Sequence, residues 1–136
     1  MCNANIYAIN QATGGSINAG SIYPIAQTVR KCGAFELQNG ALIIKRSGCY
    51  MIDAVVTIAA TAVGVVSVEL QQDGVPVQGA IGSGNAAAIG DWISIPISAI
   101  VKVKNDCVCS DGAALSFVVS GQNITTENLT IRAVKL

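Results

Sequence analysis

The sequence contains no histidine, and that absence removes more chemistry than any other feature of its composition. Without histidine there is no Ser-His-Asp or Cys-His arrangement, and the commonest general base and metal ligand are missing. Charge is scarce as well. Charged residues make up 12% of the chain, about half the usual fraction, and eight basic residues balance eight acidic ones. No block of basic residues is present, so nothing points to nucleic acid as a partner. Aromatic residues are 4% of the chain, which offers no stacking platform for sugars or bases. No uninterrupted apolar run reaches the roughly 18 residues of a membrane-spanning helix. The start, Met1-Cys2-Asn3-Ala4-Asn5, lacks the basic and apolar regions of a secretory signal. The expectation is synthesis and folding in a cytosol, with any extracellular role reached by another route such as release of a virus particle.

What is abundant is apolar residues, 51% of the 136. A chain of this length is most simply one domain, residues 1–136, with enough buried surface for a real core. So little charge leaves a monomer surface poorly solvated, and part of that surface is expected to be an interface.

The apolar residues fall in short runs separated by Gly, Asn, Asp and Ser, with no sustained helical period. That is the pattern of an all-β sandwich. Strands are expected near residues 4–10, 21–29, 34–38, 41–46, 49–60, 65–72, 75–81, 92–104, 113–120 and 128–135. The first and last of these are expected to be sheet neighbours. Val66, Val68 and Leu70 alternate with Ser67, Glu69 and Gln71. Asp73-Gly74 then reads as a two-residue hairpin turn, which needs positive φ. Gly14-Gly15 reads as a hairpin turn between the first two strands. Pro96 interrupts the long run from Trp92 to Lys104, so that strand belongs at a sheet edge or carries a bulge. Residues 79–90, built almost wholly of Gly, Ala, Ser and Asn, read as a flexible loop.

One strand is unusual. From Gly48 to Ile58, Tyr50, Ile52, Ala54, Val56 and Ile58 share one face, and Met51, Val55 and then Ala59 lie on the other, interrupted by Asp53. A strand apolar on both sides is covered on both sides. The second sheet of a sandwich supplies one cover, and another subunit is expected to supply the second.

These pieces together resemble a known superfamily. The Gly48-x-Tyr50-x-Ile52 start resembles the Gly-x-Tyr signature of the tumour-necrosis-factor (TNF) and complement globular-head jelly rolls. Glu69 to Val77 resembles their next hairpin, and Leu129 to Leu136 their last strand. The likeness extends to small members encoded by prophages, in which an Asp-Gly-Val-x-Val hairpin is followed by a Cys-rich turn, here Asp106-Cys107-Val108-Cys109-Ser110. The resemblance implies a two-sheet antiparallel jelly roll of about ten strands and a homotrimer whose contact Met51, Val55, Ala59 and Trp92 would line. It implies a non-enzymatic structural or binding protein on a phage particle, used in assembly or host-surface attachment, with other particle proteins or a host glycan as further partners. The alternative is a bacterial surface or spore-associated module of the same fold. Receptor and calcium sites of the animal members do not carry over, because their aromatic richness is missing.

The five cysteines lack the spacing of a zinc motif, and free thiols are the favoured reading. By the resemblance, the strands that begin at Cys49 and end at Val103 are antiparallel neighbours, which would place Cys49 close to Cys107 or Cys109 without a bond. Cys32 is left unplaced. The aspartates mostly sit where turns are expected and read as turn formers rather than a catalytic pair. Asn123-Ile124-Thr125 and Asn128-Leu129-Thr130 match the glycosylation pattern but read as turn residues. Arg30-Lys31 and Lys45-Arg46 read as solvated strand ends. No cofactor and no metal is expected.

Overall fold

The computed structural model describes residues 4–104 and 113–136. Within them lie twelve strands: β1 (Asn5–Asn10), β2 (Ser16–Ile17), β3 (Ile22–Tyr23), β4 (Gln27–Cys32), β5 (Phe35–Gln38), β6 (Ala41–Ile44), β7 (Gly48–Ala60), β8 (Gly64–Gln72), β9 (Val75–Ala86), β10 (Trp92–Val103), β11 (Ala113–Ser120) and β12 (Ile124–Lys135). All pairings are antiparallel. The first sheet runs β10-β7-β12-β1-β4, with β2 also on β12. The second runs β5-β6-β11-β8-β9, with β3 also on β11. The first and last long strands are neighbours, Ile6 opposite Ala133, and β10 is an edge strand, as Pro96 requires.

The core lies between the sheets, where the alternating residues place it. Tyr50, Ile52, Ala54, Val56 and Ile58 of β7 are buried against Val66, Val68 and Leu70 of β8 and Leu115, Phe117 and Val119 of β11. Phe35 meets Tyr50 edge to face, ring centres 5.9 Å apart. Burial raises the Tyr50 phenol above its ordinary pKa, and the hydroxyl donates to the Arg46 carbonyl at 2.9 Å. Asp73 and Gly74 both have positive φ, 54° and 81°, as the tight hairpin demands, and the Asp73 carboxylate accepts the Ala114 N–H at 2.9 Å.

Three expectations are corrected. The run 21–29 is not one strand. The chain leaves the second sheet after Tyr23, turns through Pro24 and enters the first sheet at Gln27, so β3 and β4 belong to different layers. Proline cannot donate a ladder hydrogen bond, and the break falls there. Gly14-Gly15 is not a hairpin turn either. The backbone of both glycines bonds to Thr126, and they carry the chain along β12 from β1 to β2. Residues 79–86 are strand rather than loop, because their small side chains serve close approach. A Cβ on Gly82 or Gly84 would collide with Ile95 or Ile93, so these glycines let the end of β9 lie against β10 and close one side of the sandwich.

Candidate binding face

The outer face of the first sheet carries the residues singled out from the sequence, and pairing register shows which of them meet. On β7 and β10, Met51 lies opposite Ile100, Val55 opposite Pro96, and Ala59 opposite Trp92. On the other side, Val134 and Thr130 of β12 flank Met51 and Val55, and Tyr7 of β1 follows beyond Arg132. Met51 (46% exposed), Val55 (38%), Ile100 (64%) and Trp92 (69%) stand open to solvent on this one face, and Ala59 is already buried within the protomer. Such a run of exposed apolar groups on one sheet face has the character of a contact surface.

A single ion pair interrupts it. Asp53 and Arg132 are register partners, with Arg132 Nη2 2.5 Å from Asp53 Oδ2, and Ser98 on the far side of Asp53 donates to Oδ1 at 3.4 Å. Both ions are about half exposed in the protomer. A depression of about 320 Å³ lies beside them, lined by Tyr7, Asp53, Val55, Thr130 and Arg132. It holds no constellation of nucleophile, base and oxyanion donor. Two further depressions, of about 420 and 570 Å³, lie against β9 and β10 and over the second sheet.

The cysteine positions divide. Gly48 pairs with Val103 and Cys49 with Lys102, so the start of β7 and the end of β10 coincide at one end of the sandwich. Cys49 is a free, exposed thiol. Cys107 and Cys109 lie outside the described residues. Cys32 is disulfide-bonded, which overturns the free-thiol reading for that residue: it closes β4 opposite Asn5, half-buried at the sheet end. Among the described residues no group of three or more Cys, Asp or Glu side chains could hold a metal ion, and no helix is long and apolar enough to cross a membrane.

The remaining candidates resolve into structural roles. Asp73 and Asp91 bind backbone N–H groups at turns, while Asp53 is a mid-strand ion-pair member and not a turn former. The Asn123 side chain accepts the Ala19 N–H at 2.9 Å. Lys45 pairs with Glu36 at 2.6 Å, and the hydrogen bond and charge of that ammonium lower the Glu36 pKa. Tyr7, Ser98, Ile100 and Arg132 complete the face, and none is marked by a motif. Their alternation in the sequence places them on one side of each strand, but only the strand order brings them beside Met51 and Val55.

No protein-family model matches the chain, and no curated protein matches it in sequence. Solved structures match it in fold. An Eiger TNF from S. frugiperda superposes with a TM-score of 0.72 at 12% identity, covering 98% of this chain and 90% of its own. Murine APRIL at pH 5.0 gives 0.72 at 10% identity, covering 99% and 100%. The vertex protein P5 of PRD1 gives 0.65 at 17% identity, covering 98% and 97%. With the two antiparallel sheets and the strand order above, these likenesses establish that the chain folds as a TNF-like jelly roll.

Proposed function

We propose that the protein is a non-enzymatic structural and binding module: a homotrimeric, prophage-encoded knob carried on a phage particle and used in assembly or attachment to a host surface. The observation that carries this reading is the outer face of the first sheet, where Met51, Val55 and Ile100 stand exposed around one ion pair, with Trp92 at the far end of the same face. A second copy of the chain would cover that face, and three copies would leave the opposite sheet and both ends free for partners. The likeness to the PRD1 vertex protein P5 supports a place on a particle.

The test is direct. Particles released after induction of the strain that carries the gene are purified and probed with antibody to this chain. Labelling of intact particles is expected. A chain found only in the cell fraction, with label absent from purified particles, contradicts the particle assignment.

A further inference from the structure

Charge is segregated along the long axis of the sandwich. Strands β7, β9 and β11 run toward one end, and there the connections comprise residues 11–15, 18–21, 61–63, 87–91 and 121–123. Together these segments hold one ionisable side chain, Asp91. The opposite end bears Lys45, Arg46, Asp73, Lys104 and Lys135. At the charge-poor end the exposed side chains include Val63 (67%), Ile89 (75%) and Trp92 (69%), and Ala62, Ala87 and Ala88 are exposed beside them.

In the loops 61–63 and 87–91 several peptide groups find partners within the protein. Asp91 Oδ2 accepts the N–H groups of Ala87 and Ala88, both at 3.0 Å, so its own charge is engaged locally. Asp91 N–H donates to Ala88 O at 3.2 Å, Gly90 N–H to Ala60 O at 2.8 Å, and Ala60 N–H to Asp91 O at 2.9 Å. Gln122 serves the other loop: Oε1 accepts from Thr61 N–H at 3.0 Å and Ala62 N–H at 2.9 Å, and Nε2 donates to Ala62 O at 2.9 Å. Two side chains thus bind four loop N–H groups and one carbonyl from within, beside exposed aliphatic groups.

That combination meets the conditions a lipid surface sets. Peptide groups entering a bilayer interface must find internal partners. Unpaired charges are costly to desolvate there. A tryptophan beside aliphatic side chains favours the boundary between headgroups and acyl chains. The connecting segments of this end have no Lys or Arg to draw it to anionic lipid. We propose that this end, whose one carboxylate is capped by two backbone N–H groups, inserts shallowly into the interface of an uncharged, zwitterionic bilayer, with Val63 and Ile89 leading and Trp92 at headgroup level. The inference holds for a single protomer. In a trimer three such ends would act together.

Trp92 is the one tryptophan in the chain, so its emission reads the event without a label. The full chain is mixed with phosphatidylcholine vesicles. Expected are a blue shift, quenching by lipids brominated on the acyl chain, and co-sedimentation that persists at high salt and needs no anionic lipid. Val63→Ser with Ile89→Ser keeps the reporter and should weaken partition about tenfold or more, while thermal unfolding stays that of the native chain. Ile89→Ser alone serves if the double variant unfolds early. Arg46→Ser, at the other end, should change nothing. Unaltered emission with vesicles overturns the proposal. So does binding that requires anionic lipid and vanishes with salt, which would assign it to the basic end. A blue shift that tracks protein concentration and ignores vesicles also overturns it and shows a second copy covering Trp92, so failure here and failure of the trimer give different results.

Discussion

The hydroxyl of Tyr23, on the second sheet, accepts the backbone N–H of Glu127, on the first, at 3.2 Å. Glu127 is the extra residue of a bulge in β12, where the register with β7 shifts between Thr126 and Asn128. A bulge leaves a backbone group without its ladder partner. Here a phenol that crosses the core supplies it, and donates in turn toward the Thr57 carbonyl at 3.4 Å. Tyr23→Phe should therefore cost about 1–3 kcal/mol, read as a lowered midpoint of denaturant unfolding, because it orphans the Glu127 N–H. Retention of native stability would mean that water serves the bulge.

The same phenol predicts an alkaline transition. Burial pushes its pKa from 10.0 up to about 12. The folded state holds the proton more tightly than the unfolded chain, so the stability from this group is fully present below pH 10. It is lost as pH rises through about 12. Unfolding free energy should fall across that window, and Tyr23→Phe should flatten the fall. An equal slope in the variant would assign the transition to other groups.

Gly84 tests the closure of the sandwich between β9 and β10. A side chain there must displace Ile93. Gly84→Val should destabilise by about 1–3 kcal/mol through overpacking, measured as a shift in Tm. Val at position 79, whose Cβ would meet nothing within 4 Å, faces strain from its positive φ of 82° but no collision. An unchanged Tm for Gly84→Val would mean that Ile93 gives way and that the contact with β10 does not set the closure.

The Asp53–Arg132 pair separates a free face from a covered one. Half exposed in a lone protomer, such a pair contributes roughly 0–1 kcal/mol, so Asp53→Asn should barely move the stability of a monomer. Covered by a second copy, the same substitution strands the Arg132 guanidinium, and about 3–5 kcal/mol would be lost from assembly. Sedimentation equilibrium of Asp53→Asn distinguishes the two: weakened self-association at unchanged protomer stability is expected.

How much was legible in the sequence follows from the range of the interactions. The alternation in β7, β8 and β11 and the Asp73-Gly74 turn are local, and all were readable from neighbouring residues. Pro96 carried its own edge position. The glycines of β9 misled because a stretch of small residues reads as a loop until the packed Ile93 and Ile95 are known. The Pro24 crossing between sheets, the bulge at Glu127 and the pairing of Asp53 with Arg132 depend on partners far along the chain. For the face, alternation chose which side of each strand Met51 and Val55 occupy. Strand order, which alternation does not encode, brought Ile100, Tyr7 and Arg132 alongside.

The most direct test of the proposed assembly is the solution mass of the chain at micromolar concentration, measured by light scattering for the native protein and for Val55→Asp. A native mass of three chains is expected. Val55→Asp, which sets an unpaired carboxylate in the middle of the face, should lose roughly 3 kcal/mol or more of association energy and run as a folded monomer. A native protein that runs as a monomer, or a Val55→Asp variant that remains a trimer, would contradict assembly through this face.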